Sequence, residues 1–211
     1  MKLAVLGAGA WGTAISISLA RRHSLVLWAR DAQQAGEIAA TRTNQRYLPG
    51  FSIPEAIAVT AELAAALEAC DVILVATTTA GLRPTLRRLA AAGNTAPLVW
   101  LCKGFETDSA QLPHQIAASE LPPALPRAVL SGPSFAAEIA RGLPAALTLA
   151  SHDPEFAARV ARDLHANALR IYSSDDVTGV EVAGALKNVM AIAAGISDGL
   201  GLGYNARAAL I

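Results

Sequence analysis

At 211 residues the chain is long enough for one large domain, or for one domain and part of a second. It is 53% hydrophobic and 16% charged, with 17 basic residues against 17 acidic ones. A net charge of zero argues against a nucleic-acid partner or a charged membrane surface, since both rely on clustered basic side chains.

In chain order, short apolar runs alternate with Ala-rich helical segments. Lys2–Leu6 reads as a strand, followed by a helix over Trp11–Arg22, a strand at Leu25–Trp28 and a helix over Asp31–Thr41. Strands are predicted at Ile57–Thr60 and Val72–Ala76, with a helix over Leu63–Ala69 between them. A helix over Gly81–Ala92 leads to strands at Leu98–Cys102 and Ala128–Leu130. The helix Phe135–Arg141, the strand Ala146–Ala150, the helix Pro154–His165 and the strand Leu169–Ser173 complete the pattern. The expected fold class is α/β, a Rossmann-like doubly wound and mostly parallel sheet, because strands that alternate with helices build βαβ units. Near-continuous apolar strands are those of a sheet covered on both faces.

From Val177 the strand signal stops and a small-residue helical pattern takes over, punctuated by glycines. The expected division is 1–176 for the dinucleotide-binding unit and 177–211 for the first helices of an α-helical substrate domain. The apolar pattern at Ala208–Ile211 carries no C-cap or breaker, which leads to the expectation that the chain is a fragment. No apolar run is judged long enough to span a bilayer, and Met1-Lys2 leads into the first strand with no signal-peptide pattern. Cys70 and Cys102 form no C-x-x-C pair and read as buried thiols of a reducing compartment, so the expected location is cytoplasmic.

The first strand runs into Gly7-Ala8-Gly9-Ala10-Trp11-Gly12, a G-x-G-x-x-G loop that opens a helix. Gly7 permits the tight turn, Gly9 lets the backbone approach a pyrophosphate, and Gly12 allows close helix–strand packing. The second strand ends at Trp28-Ala29-Arg30-Asp31. A carboxylate here suits the ribose hydroxyl of NAD and a guanidinium the 2′-phosphate of NADP, so Arg30 favours NADP over NAD. On the substrate side, Lys103 leaves a strand end, and Ser131-Gly132-Pro133-Ser134-Phe135 forms a turn that feeds a helix. Ser131 and Ser134 are equally readable as helix caps. Lys187 stands in the apolar stretch Gly184–Ala191, where burial would pull its pKa toward that of a general acid–base, with Asn188 beside it to hold a substrate oxygen. The four histidines show no ligand-like pairing with cysteines or carboxylates, so no metal site is expected, and no G-x-S-x-G elbow occurs.

Taken together, the Gly7–Ala14 loop, Asn44-Gln45-Arg46-Tyr47-Leu48-Pro49-Gly50, Lys103-Gly104, Ser131–Ala136, Val180–Asn188 and Gly199–Asn205 resemble the bacterial-type NAD(P)-dependent sn-glycerol-3-phosphate dehydrogenases. The segments run in family order over essentially the whole chain. The resemblance implies reversible hydride transfer between NAD(P)H and dihydroxyacetone phosphate, with Lys187 as proton donor to the carbonyl oxygen. It implies that Lys103 contacts both cofactor and substrate, that Gly132 and Ser134 contact substrate, and that Ala10, Trp11, Arg30, Tyr47 and Ala136 line the cofactor site. It also implies a longer helical domain carrying an Arg and an Asn for the substrate phosphate and an Asp near the catalytic lysine. Ala76-Thr77-Thr78-Thr79 departs from the Val-Pro-Ser-like stretch usual after the fourth strand. The expected partner is a small phosphorylated molecule, with a homodimer admitted. Two competing readings are a β-hydroxyacid dehydrogenase, against which the Ser131–Ala136 and Gly184–Asn188 spellings argue, and a non-catalytic NADP-binding fragment.

Overall fold

The computed structural model describes residues 1–166 and 168–210. Six strands, β1 (Lys2–Leu6), β2 (Ser24–Trp28), β5 (Ile57–Thr60), β6 (Val72–Val75), β7 (Leu98–Trp100) and β8 (Arg127–Ser131), pair in parallel in the order β5-β2-β1-β6-β7-β8. This is the doubly wound dinucleotide-binding order, with its switch point between β1 and β6. The sheet is extended by β9 (Ala145–Ala150), antiparallel to β8, and by β10 (Leu169–Ser174), parallel to β9. Val129 pairs with Ala150 and Ser131 with Thr148, so β8 and β9 meet where the Ser131–Ser134 turn begins.

The strands are apolar throughout because alternate side chains feed two cores. Leu3 and Val5 face a layer formed by α1 (Ala10–Leu19), α2 (Ala32–Thr41), α6 (Ala136–Arg141) and α7 (Pro154–Leu164). Ala4 and Leu6 face α3 (Leu63–Leu67), α4 (Thr79–Ala91), α5 (Pro113–Glu120) and the start of α8 (Val177–Gly199). A fully buried Leu or Val contributes about 1.5–3 kcal/mol, so these two layers supply the main stabilisation of the sheet. A short hairpin of β3 (Thr43–Asn44) and β4 (Leu48–Ser52) folds beside α1, and α9 (Gly203–Leu210) closes the described chain.

The structure departs from the sequence expectations at five places. The β3–β4 hairpin and α5 were not predicted, and the β9–β10 pair runs against the other strands. Cys102 is buried as expected, but Cys70 is only half-buried. The statement that no segment is long and apolar enough to cross a membrane is also corrected. The 23-residue α8 meets both criteria by length and composition, because Glu181, Lys187 and Asp198 interrupt its apolar run without lowering its average enough. That helix seats Glu181 in the protein interior and leaves most of its remaining length exposed.

Candidate active site

The Gly-rich loop follows from close packing. Gly7 has φ +122°, and a Cβ there would lie 2.6 Å from the Ala76 carbonyl oxygen across the β1–β6 switch point. At Gly12 a Cβ would come within 1.9 Å of the Gly7 carbonyl oxygen, so only glycine lets α1 sit on the loop. Gly9 caps α1 without a side chain, which leaves first-turn amides free, and a Cβ on it would meet no atom within 4 Å. Asn44 is buried and donates to the Ala8 carbonyl at 2.9 Å and to Thr13 Oγ1 at 2.8 Å, and Gln34 donates to the same carbonyl at 2.7 Å. The loop is thereby held from the hairpin and from α2.

A cleft of about 510 Å³ opens on this loop. Its lining includes Gly7, Gly9, Arg30, Arg46, Tyr47 and Arg88, with Thr77 between the loop and α4. The Thr77 hydroxyl is enclosed without a hydrogen-bond partner among the described residues. Asp31 is also at the cleft, but its carboxylate caps α2 by accepting from the amides of Gln33 at 2.9 Å and Gln34 at 3.4 Å. Three guanidinium groups thus stand against one carboxylate in the lining. Free amides at a helix N-terminus, open space over Gly9, an unpartnered hydroxyl and clustered arginines all fit a dinucleotide diphosphate.

A second, more apolar pocket of about 290 Å³ lies at the carboxyl end of β8, bounded by Ser131, Gly132, Thr148, Gly184 and Lys187. Lys103, just after β7, donates from Nζ to the Gly132 carbonyl at 2.8 Å and to Ser134 Oγ at 3.2 Å. The Thr79 hydroxyl donates to the Lys103 carbonyl at 2.8 Å and fixes the strand exit. Partial burial, reinforced by the nearby positive charge of Lys187, pulls the Lys103 amine down to about 8. The Lys187 ammonium stands 5.6 Å from the centre of the exposed Phe135 ring.

The structure thus brings Gly132 and Lys187 to one pocket, with Lys103 and Ser134 hydrogen-bonded at its Gly132 edge, and Gly7, Gly9, Arg30 and Tyr47 to the other. Trp11 and Ala136 pack against the core where α1 meets α6, and Ala10 and Gly12 form the first turn of α1 without lining the cleft. Three expectations need correction. Lys187 is half-buried rather than buried, because it stands where α8 passes from its buried start to its exposed length, and the amine depressed by burial is Lys103. Asn188 is exposed, a helical step of about 100° from Lys187, and does not line the pocket. His114 does pair with a carboxylate, its Nδ1 lying 2.6 Å from Glu181. Sequence reasoning missed Arg46, Arg88 and the structural part of Asn44, and it marked the Thr77 loop without giving it a role. Arg46 and Asn44 lay in a segment that resemblance had already marked, so a signal for them existed.

The family model for the NAD-dependent glycerol-3-phosphate dehydrogenase N-terminus matches residues 2–157, and that for its C-terminus matches residues 176–211. The chain belongs to the glycerol-3-phosphate dehydrogenase family. It is 54% identical over its full length to the glycerol-3-phosphate dehydrogenase [NAD(P)+] of Aromatoleum aromaticum and 56% identical to that of Nitrosomonas europaea. In each case it covers 64% of the relative, so the chain spans under two thirds of these curated dehydrogenases. The crystal structure of glycerol-3-phosphate dehydrogenase from Coxiella burnetii superposes with a TM-score of 0.87 at 40% identity, over 99% of this chain and 64% of that one. Glycerol-3-phosphate dehydrogenases of this family therefore share both the sheet and the start of the helical region found here.

Proposed function

We propose that the chain carries the cofactor site and part of the substrate site of an NAD(P)H-linked dehydrogenase that interconverts dihydroxyacetone phosphate and sn-glycerol 3-phosphate, for glycerophospholipid synthesis. The observation that carries this reading is the placing of Lys187 on the wall of the smaller pocket, with Lys103 hydrogen-bonded to Gly132 of that wall and within range of the Lys187 charge, at the carboxyl end of the same sheet that bears the dinucleotide cleft. In open α/β sheets this is the end where ligands bind. Fourteen of the 17 basic residues are arginine, and two of the three lysines come within range of each other's charge here, where an amine able to give up a proton is needed.

In this reading the α1 amides and Arg30, Arg46 and Arg88 hold the dinucleotide. NADPH is favoured over NADH because three guanidinium groups, Arg30 among them, outnumber the single carboxylate of the lining, Asp31, whose Oδ1 is engaged in a helix cap. The bound nicotinamide supplies the hydride. Lys103 and Ser134 bind and orient the phosphorylated ketone, and Lys187 Nζ delivers a proton to its carbonyl oxygen and recovers one in reverse. Residues 1–176 act as the dinucleotide-binding unit and 177–211 begin the helical substrate domain. The half-buried and buried free thiols, Cys70 and Cys102, support a cytoplasmic setting, and a second copy of the chain is a candidate partner.

NADPH binding by fluorescence, followed by NADPH oxidation with dihydroxyacetone phosphate, tests the reading. Binding together with turnover that Lys187→Ala and Lys103→Met abolish is the expected result. Binding without turnover would leave the non-catalytic cofactor-binding reading. Absence of NADPH binding by a folded chain would overturn both.

A further inference from the structure

Glu181 is the one acidic side chain buried in α8, and the proton chemistry above does not use it. Its side chain is 1% exposed. One carboxylate oxygen accepts from the Trp100 indole N–H at 2.8 Å and from the His114 backbone amide at 2.9 Å, and the other lies 2.6 Å from His114 Nδ1. A single group thus ties α8 to the end of β7 and to the first turn of α5. Burial raises its pKa against the lowering effect of His114 and Trp100, and its charge adds to the burial that pushes the neighbouring Cys102 thiol up to about 12.

The ridge of α8 that begins at Glu181 continues at Gly184 and Lys187, at spacings of three residues that stack along one side of a helix. At Gly184 a Cβ would lie 2.6 Å from Ser131 Oγ and 3.6 Å from the Lys103 side chain, so the helix backbone rests directly on the substrate pocket. Lys187 follows one turn later, over Phe135. Rotation of α8 about its axis is opposed at the Glu181 end by three hydrogen bonds to two other elements. The remaining length is largely exposed and offers no comparable lock among the described residues.

We propose that Glu181 is a positioning residue whose clamp on Trp100 and His114 sets the rotation of α8, and so seats Gly184 and Lys187 against Lys103. The inference rests on the reading of Lys103 and Lys187 as the working pair, but its test needs no turnover. The chain has only three lysines, Lys2, Lys103 and Lys187, so lysine Cε-labelled protein gives three side-chain resonances that single Lys→Arg variants assign. The charged group facing Lys103 is Lys187, and the polar groups are Ser134 and the Gly132 carbonyl.

Lys103 titrates near 8 in the unaltered chain. In Glu181→Ala, release of α8 removes both the covering helix and the Lys187 charge, and the Lys103 titration rises by about one unit or more. Glu181→Gln keeps an oxygen for the two N–H donors and presents an N–H to His114 Nδ1, so it holds Lys103 near 8. His114→Ala removes one of the three bonds and gives a smaller rise, and it decides the matter if Glu181→Ala does not fold. A role through charge alone gives the opposite result, since loss of an anion would lower Lys103, and would do so equally in the Ala and Gln variants. The proposal is overturned by that outcome, or by folded Ala variants in which Lys103 remains near 8.

Discussion

Gly9 and Gly12 stand three residues apart in the same loop and are expected to fail in different ways. A Cβ at Gly12 collides with a backbone carbonyl that cannot move without opening the β1–α1 turn, so Gly12→Ala should cost about 3 kcal/mol of stability, read by urea unfolding. A Cβ at Gly9 meets nothing in the protein, so Gly9→Ala should cost less than about 1 kcal/mol. It should nonetheless weaken NADPH binding sharply, because the methyl group occupies the diphosphate path. Equal destabilisation by the two substitutions would refute the assignment of Gly9 to the ligand. Arg30 gives a second contrast. Loss of a charge-assisted contact to a 2′-phosphate is worth about 1.5–3 kcal/mol, so Arg30→Ala should raise the NADPH Kd by about tenfold or more and barely change that for NADH. Lys103 gives a pH dependence of known sign. Folding lowers its pKa from 10.5 to about 8, so between these values the unfolded chain holds a proton that the folded chain has released. Stability from this group therefore rises with pH across that window, while affinity for a phosphorylated ligand falls as pH rises through 8. In melting curves compared from pH 7 to 11, the unaltered chain should gain stability relative to Lys103→Met between about pH 8 and 10.5 and in that window alone.

At the scale of elements, Arg83 on α4 organises the approach to Lys103. Its guanidinium contacts Glu106 at 2.6 and 2.8 Å, Glu120 at 2.5 Å, Gln111 at 2.7 Å and Ser119 at 3.0 Å, which joins α4, α5 and the loop that follows Lys103. Arg83, with help from Ser109, holds the Glu106 carboxyl down at about 2 from an ordinary 4.5. The stability that this depression supplies is present above 4.5 and is lost as pH falls toward 2. Arg83→Ala should therefore shift the acid-unfolding midpoint upward by about one pH unit, followed by circular dichroism, with no change at neutral pH in the sheet signal. An unchanged acid midpoint would mean that the network is only a surface arrangement. The elements this network joins were unequally legible in the sequence. The parallel strands stood out because burial on both faces leaves them apolar at every position, and G-x-G-x-x-G placed the first turn. The helix α5 was hidden by its brevity and by Pro113, which is favourable at a first helical position but reads as a breaker in isolation. The β3–β4 hairpin was hidden by Pro49 and Gly50 inside β4 and by its exposed face. The opposite direction of β9 leaves no local trace at all, since strand polarity is decided by which neighbour is available to pair.

Across the whole molecule, stability is concentrated at the sheet and thins along α8. Strands β1, β6 and β7 are buried on both sides, whereas Leu186, Val189, Ile192, Ile196, Leu200 and Leu202 are exposed and α9 buries no residue. This gradient explains why the site was only partly readable. Lys103, Gly132 and Ser134 sit at ends of legible strands, but the environment of Lys187 depends on how a helix leaves the sheet, which periodicity does not encode. A lone charge in an apolar helix drew attention to Lys187, and the same argument applied to Glu181 would have found the buried carboxylate. Regions with few buried contacts open at low free energy, while a buried sheet exchanges only on global unfolding. In the polypeptide of residues 1–211, amides from Val189 onward should exchange at least about a thousandfold faster than those of β1 and β6, a difference of about 4 kcal/mol in opening energy. NADPH at 100 times its Kd should add about 2.7 kcal/mol of protection to the sheet and the Gly-rich loop while leaving Val189 onward unprotected. Mass-resolved hydrogen exchange with and without NADPH measures both. Protection of α8 that grows with protein concentration, and that Ile192→Glu removes, would place a second copy of the chain on this apolar face. Uniform protection at all concentrations would instead show that α8 is held as firmly as the sheet, contrary to its exposure.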